Sequence, residues 1–119
     1  MIWVTVAALF GALGVTAGAL GSHALRTRLA PELISAWDTA VLYHLLHSIV
    51  LLALGLFAVL GERSVRLPAG LFSAGIVLFS GSLYLIALTG VRAFGPLTPL
   101  GGACLIAGWI SLLVLARSG

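Results

Sequence analysis

Long apolar runs separated by short polar stretches organise this sequence. An α-helix needs roughly 20 mostly apolar residues to cross the hydrocarbon of a bilayer. Four runs meet that requirement, at about 2–20, 40–60, 68–90 and 98–116. The pattern predicts an all-α, integral membrane four-helix bundle, with residues 1–119 forming a single domain.

Local signals mark the ends of these runs. Gly61 and Gly90 follow the second and third runs, where glycine can close a helix in a left-handed conformation at little cost. Pro68 and Pro99 fall in the first turns of the third and fourth helices, where a missing N–H is tolerated. Thr98 is a candidate N-cap for the fourth helix.

The connection between the first two runs carries its own helical pattern. Pro31 begins it, and Leu33, Trp37 and Val41 then recur every four residues. The spacing predicts an amphipathic segment at about 31–39 that lies at the membrane interface and continues into the second span. Trp37 suits the interfacial aromatic belt. A solvated loop is the alternative.

Composition excludes an ordinary soluble domain. Hydrophobic residues make up 61% of the chain and charged residues only 8%, against about a quarter in soluble domains. The net charge of +3 does not indicate nucleic-acid binding, because the six arginines are scattered. The single cysteine, Cys104, allows no internal disulfide.

Four spans place both termini on one side of the membrane, here called side A. Side B then holds the connections at 21–39 and 91–97. The arginines divide almost evenly, with Arg63, Arg66 and Arg117 on side A and Arg26, Arg28 and Arg92 on side B. The N-terminal amine adds a fourth positive charge to side A, which slightly favours cytoplasmic termini.

Glycine stripes indicate close helix packing. Gly11, Gly14, Gly18 and Gly21 follow one another at spacings of three, four and three, which is one face of a helix. Gly81 in the third span and Gly101 and Gly102 in the fourth extend the pattern. Small residues let membrane helices approach closely, so these are predicted contact faces, either within the chain or between copies. We expect a homo-oligomer or a larger membrane complex.

The polar side chains inside the spans gather toward side B. At 1.5 Å per residue, His47, Ser82 and Cys104 lie about 10, 12 and 9 Å from that face. Unpaired polar groups are costly in hydrocarbon, so these side chains should meet one another or a wet cavity. One interpretation is a hydrogen-bonded cluster that sets helix register, and the other is a pocket open to side B with His23 and Tyr43 near its mouth.

His44 and His47 lie three residues apart, on one helix face. A structural metal site usually needs four ligands, and only His23 and the distant Cys104 could add to the pair. No acidic residue lies within a span, so acid–base catalysis has no support. We therefore predict no catalytic residue, metal or cofactor, and expect neutral imidazoles bonded to serine, tyrosine or backbone carbonyls.

The resemblance of the chain to a known family rests on four blocks: "GALGSHALRTRL", "WDTAVLYHLLHS", "LFSGSLYLIALTG", and "TPLGG" followed by "GW". Over nearly its whole length the chain resembles a family of small four-helix membrane proteins, the domain of unknown function family 423, to which the eukaryotic transmembrane protein 256 group is related. The resemblance implies four spans and a bacterial inner-membrane location, and no accepted activity comes with it.

The family's recurrent polar residues match this sequence, except that glutamine usually stands at the position of His44. Depth and resemblance together select one candidate polar cluster or ligand pocket: His23, Tyr43, His44, His47, Ser80, Ser82, Tyr84, Thr98 and Cys104. We predict a non-enzymatic structural or interaction component surrounded by membrane lipids. The alternative is a binding protein for a lipid, quinone or other amphipathic ligand in one half of the membrane.

Overall fold

The computed structural model describes residues 1–117, and all regular structure within them is helical. Four helical segments are long and apolar enough to cross a membrane, which confirms the predicted four-span fold. They are span 1 (Ile2–Leu25), span 2 (Pro31–Gly61), span 3 (Arg66–Thr89) and span 4 (Arg92–Arg117).

Three of the spans combine an α-helix with a turn of another helix type. Span 1 is α1 (Ile2–Leu20) continued by a π-helical turn, Gly21–Leu25. Span 2 is a single helix, α2 (Pro31–Gly61). Span 3 joins α3 (Arg66–Gly75) to α4 (Gly81–Thr89) through a second π-helical turn, Ile76–Ser80. Span 4 opens with a 3₁₀ turn, Arg92–Phe94, and continues as α5 (Leu97–Arg117).

The helix ends agree with the sequence signals at some positions and not at others. Gly90 closes α4 in the left-handed conformation, with φ of 71°. At the end of α2 it is Glu62, with φ of 50°, and not the predicted Gly61 that turns left-handed. The N-cap prediction for Thr98 is also wrong, because α5 already begins at Leu97 and the Thr98 hydroxyl bonds to another span.

Consecutive spans pack antiparallel. Span 1 lies on span 2, with Gly14 beside Leu45, and span 3 lies on span 4, with Gly108 beside Phe72. Span 2 also contacts span 3, so spans 1 and 4 are the outer helices of an elongated molecule measuring 48 × 26 × 16 Å. Met1 and Arg117 consequently lie at the same end.

An apolar core fills the side-A half of the bundle, where spans 1, 2, 3 and 4 meet. Phe72 and Leu51 are fully buried at its centre. The remaining members are Ala7, Leu54, Val65, Ala69, Ile76 and Leu105. Many large apolar side chains point outward instead, among them Leu60 at 83% exposure, as expected for a surface in contact with lipid.

Residues 31–39 form the first turns of α2, continuous with the second span as predicted. Glu32 and Asp38 are exposed on this segment, and Asp38 pairs with Arg26 at 3.3 Å. Trp37, which suits an aromatic belt at the membrane interface, packs inside the chain. It is buried between spans 1 and 3, where its indole N–H donates to the Ala17 carbonyl at 2.8 Å.

Candidate helix contacts and polar site

Three glycines of span 1 lie directly against span 2. A Cβ added to Gly14 would come within 2.6 Å of Leu45, and one added to Gly21 within 2.7 Å of Trp37. Gly18 has more room, with Val41 at 3.4 Å. These glycines therefore let span 1 approach span 2 within the same chain.

Span 4 approaches span 3 over Gly101, where a Cβ would overlap the backbone of Phe79. The adjacent Gly102 is much less confined, since its nearest neighbour would be the Phe79 ring at 3.8 Å. Three further glycines make close contacts: Gly55 against Val4, Gly75 against Leu105, and Gly108 against Phe72.

Gly11 and Gly81 do not pack against another helix of the chain. A Cβ at either position would have no heavy atom within 4 Å. Both are among the predicted packing residues. Neither has a contact within the chain that explains the absence of a side chain. Each lines an outward-facing groove.

His47 makes two hydrogen bonds and is 2% exposed. Its Nδ1 lies 2.7 Å from the carbonyl oxygen of Tyr43, and the indole N–H of Trp109 donates to its Nε2 at 3.1 Å. A carbonyl only accepts and an indole N–H only donates. The imidazole is therefore the neutral tautomer with its proton on Nδ1, and no lone pair remains for a metal.

His44 has one bond and one unpaired nitrogen. Its Nδ1 lies 2.8 Å from the hydroxyl of Tyr84, while Nε2 is buried without a hydrogen-bond partner. The main-chain carbonyl of Phe10 lies close to the ring, yet Nε2 forms no hydrogen bond with it. Because Gly14 has no side chain, the edge of the imidazole fits against span 1.

Serine and threonine hydroxyls also join span 3 to its neighbours. Ser80 donates to the Ala40 carbonyl in span 2 at 2.8 Å. Ser82 and Thr98 share a hydrogen bond of 2.6 Å between spans 3 and 4. The π-helical turn ends at Ser80. It therefore determines the sides of span 3 on which Ser80 and Ser82 lie.

Two members of the candidate cluster stand apart. His23 is exposed in the π-helical turn after α1, and Cys104 is half-buried without a hydrogen bond among the described residues. Tyr43 contributes its ring, which contacts those of Phe79 and His47 at centroid distances of 4.6 and 6.0 Å. Within residues 1–117, no group of three or more histidine, cysteine or acidic side chains is placed to hold a metal.

The side-chain bonds between spans extend from side B to about mid-depth. They form separate pairs: Trp37 with Ala17, Ser80 with Ala40, Ser82 with Thr98, His44 with Tyr84, and His47 with Trp109. Depth counted along the sequence placed His47 and Ser82 at similar levels. It could not detect Trp37 and Trp109 as donors, because both look like ordinary aromatic anchors.

Two grooves on the outer surface reach these polar pairs. One, of about 400 Å³, runs between spans 1 and 3 and exposes part of His44 and Tyr84 beside Gly81. The other, of about 480 Å³, lies between spans 2 and 4 and is lined by Tyr43, His47 and Trp109. Apart from these groups, both grooves are almost entirely apolar.

Comparison with known proteins places the chain among small membrane proteins. Residues 17–102 match the family described as "Protein of unknown function (DUF423)". The chain is similar to the UPF0382 membrane protein YwdK of Bacillus subtilis, 38% identical over 122 residues that cover 97% of this chain and 95% of the relative. A UPF0382 membrane protein of Schizosaccharomyces pombe is 41% identical over 119 residues, covering 95% and 98%.

A staphylococcal UPF0382 membrane protein, from Staphylococcus saprophyticus, is 37% identical over 113 residues, covering 95% of this chain and 94% of the relative. No solved structure matches the chain. The family match covers most of the sequence and the relatives align over nearly their full length. The chain belongs to the DUF423 family of membrane proteins, whose function is unknown.

Proposed function

We propose that the protein is a non-enzymatic component of the bacterial inner membrane that acts by associating with a second copy of itself. Several of its polar side chains form hydrogen bonds between spans, and His47 in particular has both ring nitrogens engaged. Groups used in this way stabilise helix packing and are not free for acid–base or nucleophilic chemistry.

The observation that carries the proposal is the open space at Gly11. This glycine lies in a groove of about 440 Å³ between spans 1 and 2. Ala8 and Ala12 flank it and are exposed, so a strip of small residues on span 1 lies open beside span 2 with no helix upon it. Such faces let membrane helices approach closely, and a second copy would supply the missing neighbour.

The glycines of span 1 allow a test that separates folding from association. Leucine at Gly11 enters open space and leaves the fold intact, but it fills the groove that a second copy would occupy. Leucine at Gly14 collides with Leu45 and destabilises the chain itself. Gly70→Leu is the matched control, because Gly70 also has open space and lies in span 3.

The measurement is cross-linking in native membranes combined with light scattering of the detergent-solubilised protein. We expect wild type and Gly70→Leu to form dimers, and Gly11→Leu to be monomeric with an unchanged melting temperature. A strictly monomeric wild type, or a Gly11→Leu variant that dimerises like wild type, would contradict the proposal.

A further inference from the structure

We propose that the groove between spans 1 and 3 binds a membrane-soluble quinone, with a ring carbonyl accepting a hydrogen bond from Nε2 of His44. The inference goes beyond self-association, which involves the other face of span 1. It depends on the protonation of His44, on the shape of the groove, and on the depth of the unpaired nitrogen.

The hydrogen bond between His44 and Tyr84 determines where the imidazole proton lies. Tyr84 has no other hydrogen-bond partner among the described residues, so its hydroxyl proton is satisfied only by donation to Nδ1. The neutral imidazole then carries its own proton on Nε2, which makes that nitrogen a donor. His44 is 5% exposed and its Nε2 forms no hydrogen bond within the described chain, although the Phe10 carbonyl lies close to the ring, so this donor is left for a better-placed acceptor.

The groove is shaped for a long apolar molecule. Along span 1 its lining runs from Leu20 to Phe10, a distance of about 15 Å at 1.5 Å per residue. Its opposite wall includes Gly81, which has no internal contact that explains the missing side chain. Phe10 is half-buried, lines the same groove and stands edge-on to His44, with 6.0 Å between ring centroids, and the proposal requires this ring to move when a ligand reaches Nε2.

Depth decides between a quinone and the ester carbonyl of a phospholipid. The exposed Arg26–Asp38 ion pair marks the water boundary at side B. His44 lies six residues further along α2, which is about 9 Å deeper. The headgroup layer on each side of a bilayer is only about 5–8 Å thick, so an acceptor at His44 must sit within the hydrocarbon. A quinone ring on an isoprenoid tail carries its carbonyls to that depth.

Binding can be measured with protein in phosphatidylcholine nanodiscs, using ubiquinone with two isoprene units as the probe. Quinones quench tryptophan fluorescence, and Trp37 lies 4.6 Å from the ring of Tyr84 at the groove. Native mass spectrometry of the same samples gives the stoichiometry. We expect saturable binding of one quinone per chain.

Four variants identify the site. Gly81→Leu fills the groove, and His44→Leu removes the donor, so each should raise the quinone Kd about ten-fold or more. His44→Gln retains an N–H donor and should change the Kd by less than about three-fold. Gly70→Leu enters open space outside this groove and should bind like wild type. Melting temperatures are recorded for all four, and Gly81→Leu gives the decisive comparison if His44→Leu unfolds.

Failure of wild type to bind the quinone would overturn the proposal, as would equal Kd values for wild type and Gly81→Leu. Retention of diacyl phospholipid at the groove in place of added quinone would also overturn it, since the depth argument excludes an ester carbonyl at His44. None of these results depends on dimerisation, because the Gly11 face is unchanged in every variant.

Discussion

His47 and His44 lie one turn apart, yet their hydrogen bonding differs. Tyr43 and Trp109 satisfy both nitrogens of His47, whereas Tyr84 satisfies only one nitrogen of His44. His47 is therefore held in one tautomer and one orientation, and its contribution is to join span 2 to span 4. Hydrogen bonds between membrane helices average about 0.6 kcal/mol, so orientation matters more than energy here.

A double-mutant cycle on His47 and Trp109 tests this assignment. Trp109→Phe and His47→Phe each remove the shared bond, and their coupling in thermal unfolding should be about 0.6 kcal/mol and below about 1.7 kcal/mol. Nitrogen NMR of wild type should show the imidazole protonated on Nδ1. A proton on Nε2, or coupling indistinguishable from zero, would show that the indole does not donate to this ring.

The sequence predicted part of this arrangement. We predicted neutral imidazoles bonded to serine, tyrosine or backbone carbonyls; His47 bonds to a carbonyl and His44 to a tyrosine hydroxyl. The indole of Trp109 was not expected as its second partner, because the two residues are 62 positions apart and depth alone does not tell which faces meet. The unpaired Nε2 of His44 depends on the packing of Phe10 and Gly14, which no periodicity encodes.

At the scale of the helix, hydropathy and terminal residues predicted all four spans, although span 1 continues five residues beyond its predicted end and span 4 begins six residues before its predicted start. The π-helical turns at Gly21–Leu25 and Ile76–Ser80 were not predicted, because a π turn adds a residue without changing the apolar composition. The turn in span 3 changes the angular register between α3 and α4. Gly75 meets span 4 before the turn, whereas Ser80 at its end and Tyr84 beyond it meet span 2.

Adjacent glycines at the start of α5 provide a test of helix approach. A Cβ at Gly101 would meet the backbone of Phe79, which cannot move aside, so Gly101→Ala should lower the free energy of unfolding by about 1–3 kcal/mol or more. A Cβ at Gly102 would lie 3.8 Å from the Phe79 ring, an ordinary contact. Since alanine favours helix over glycine by up to about 1 kcal/mol, Gly102→Ala should be neutral or stabilising.

The two alanine variants differ by one position in the same turn, so expression, detergent and lipid conditions are shared. Reversible unfolding in dodecylmaltoside, followed by circular dichroism, gives the difference directly. Equal stability of Gly101→Ala and Gly102→Ala would mean that spans 3 and 4 are further apart than the contact between Gly101 and Phe79 requires.

Considered as a whole, the molecule is thin for four helices. Its smallest dimension is 16 Å, against 10–12 Å for one helix with side chains. This shape follows from the packing order, in which span 1 rests mainly on span 2 and span 4 mainly on span 3. Much of each outer helix therefore faces lipid, which is why two of the lipid-facing grooves form between spans that are not consecutive.

Membrane orientation depends on a nearly even charge balance, with three arginines at each end of the described chain and the N-terminal amine on side A. We propose that side A faces the cytoplasm. Ser64 and Ser22 are exposed at opposite ends and can each be replaced by cysteine in a Cys104→Ala background. An impermeant maleimide applied to intact spheroplasts should label Ser22→Cys, and should label Ser64→Cys only after the membrane is permeabilised.

The same balance predicts that orientation is easily disturbed. Replacing Arg63 and Arg66 by glutamine leaves one arginine on side A against three on side B. Because arginine and lysine in short loops set topology, a substantial fraction of this variant should insert inverted and expose Ser64→Cys to the external reagent. Labelling of Ser64→Cys from outside in the parent protein would reverse the assignment. If the double variant keeps the parent's labelling pattern, forces other than loop charge set the orientation.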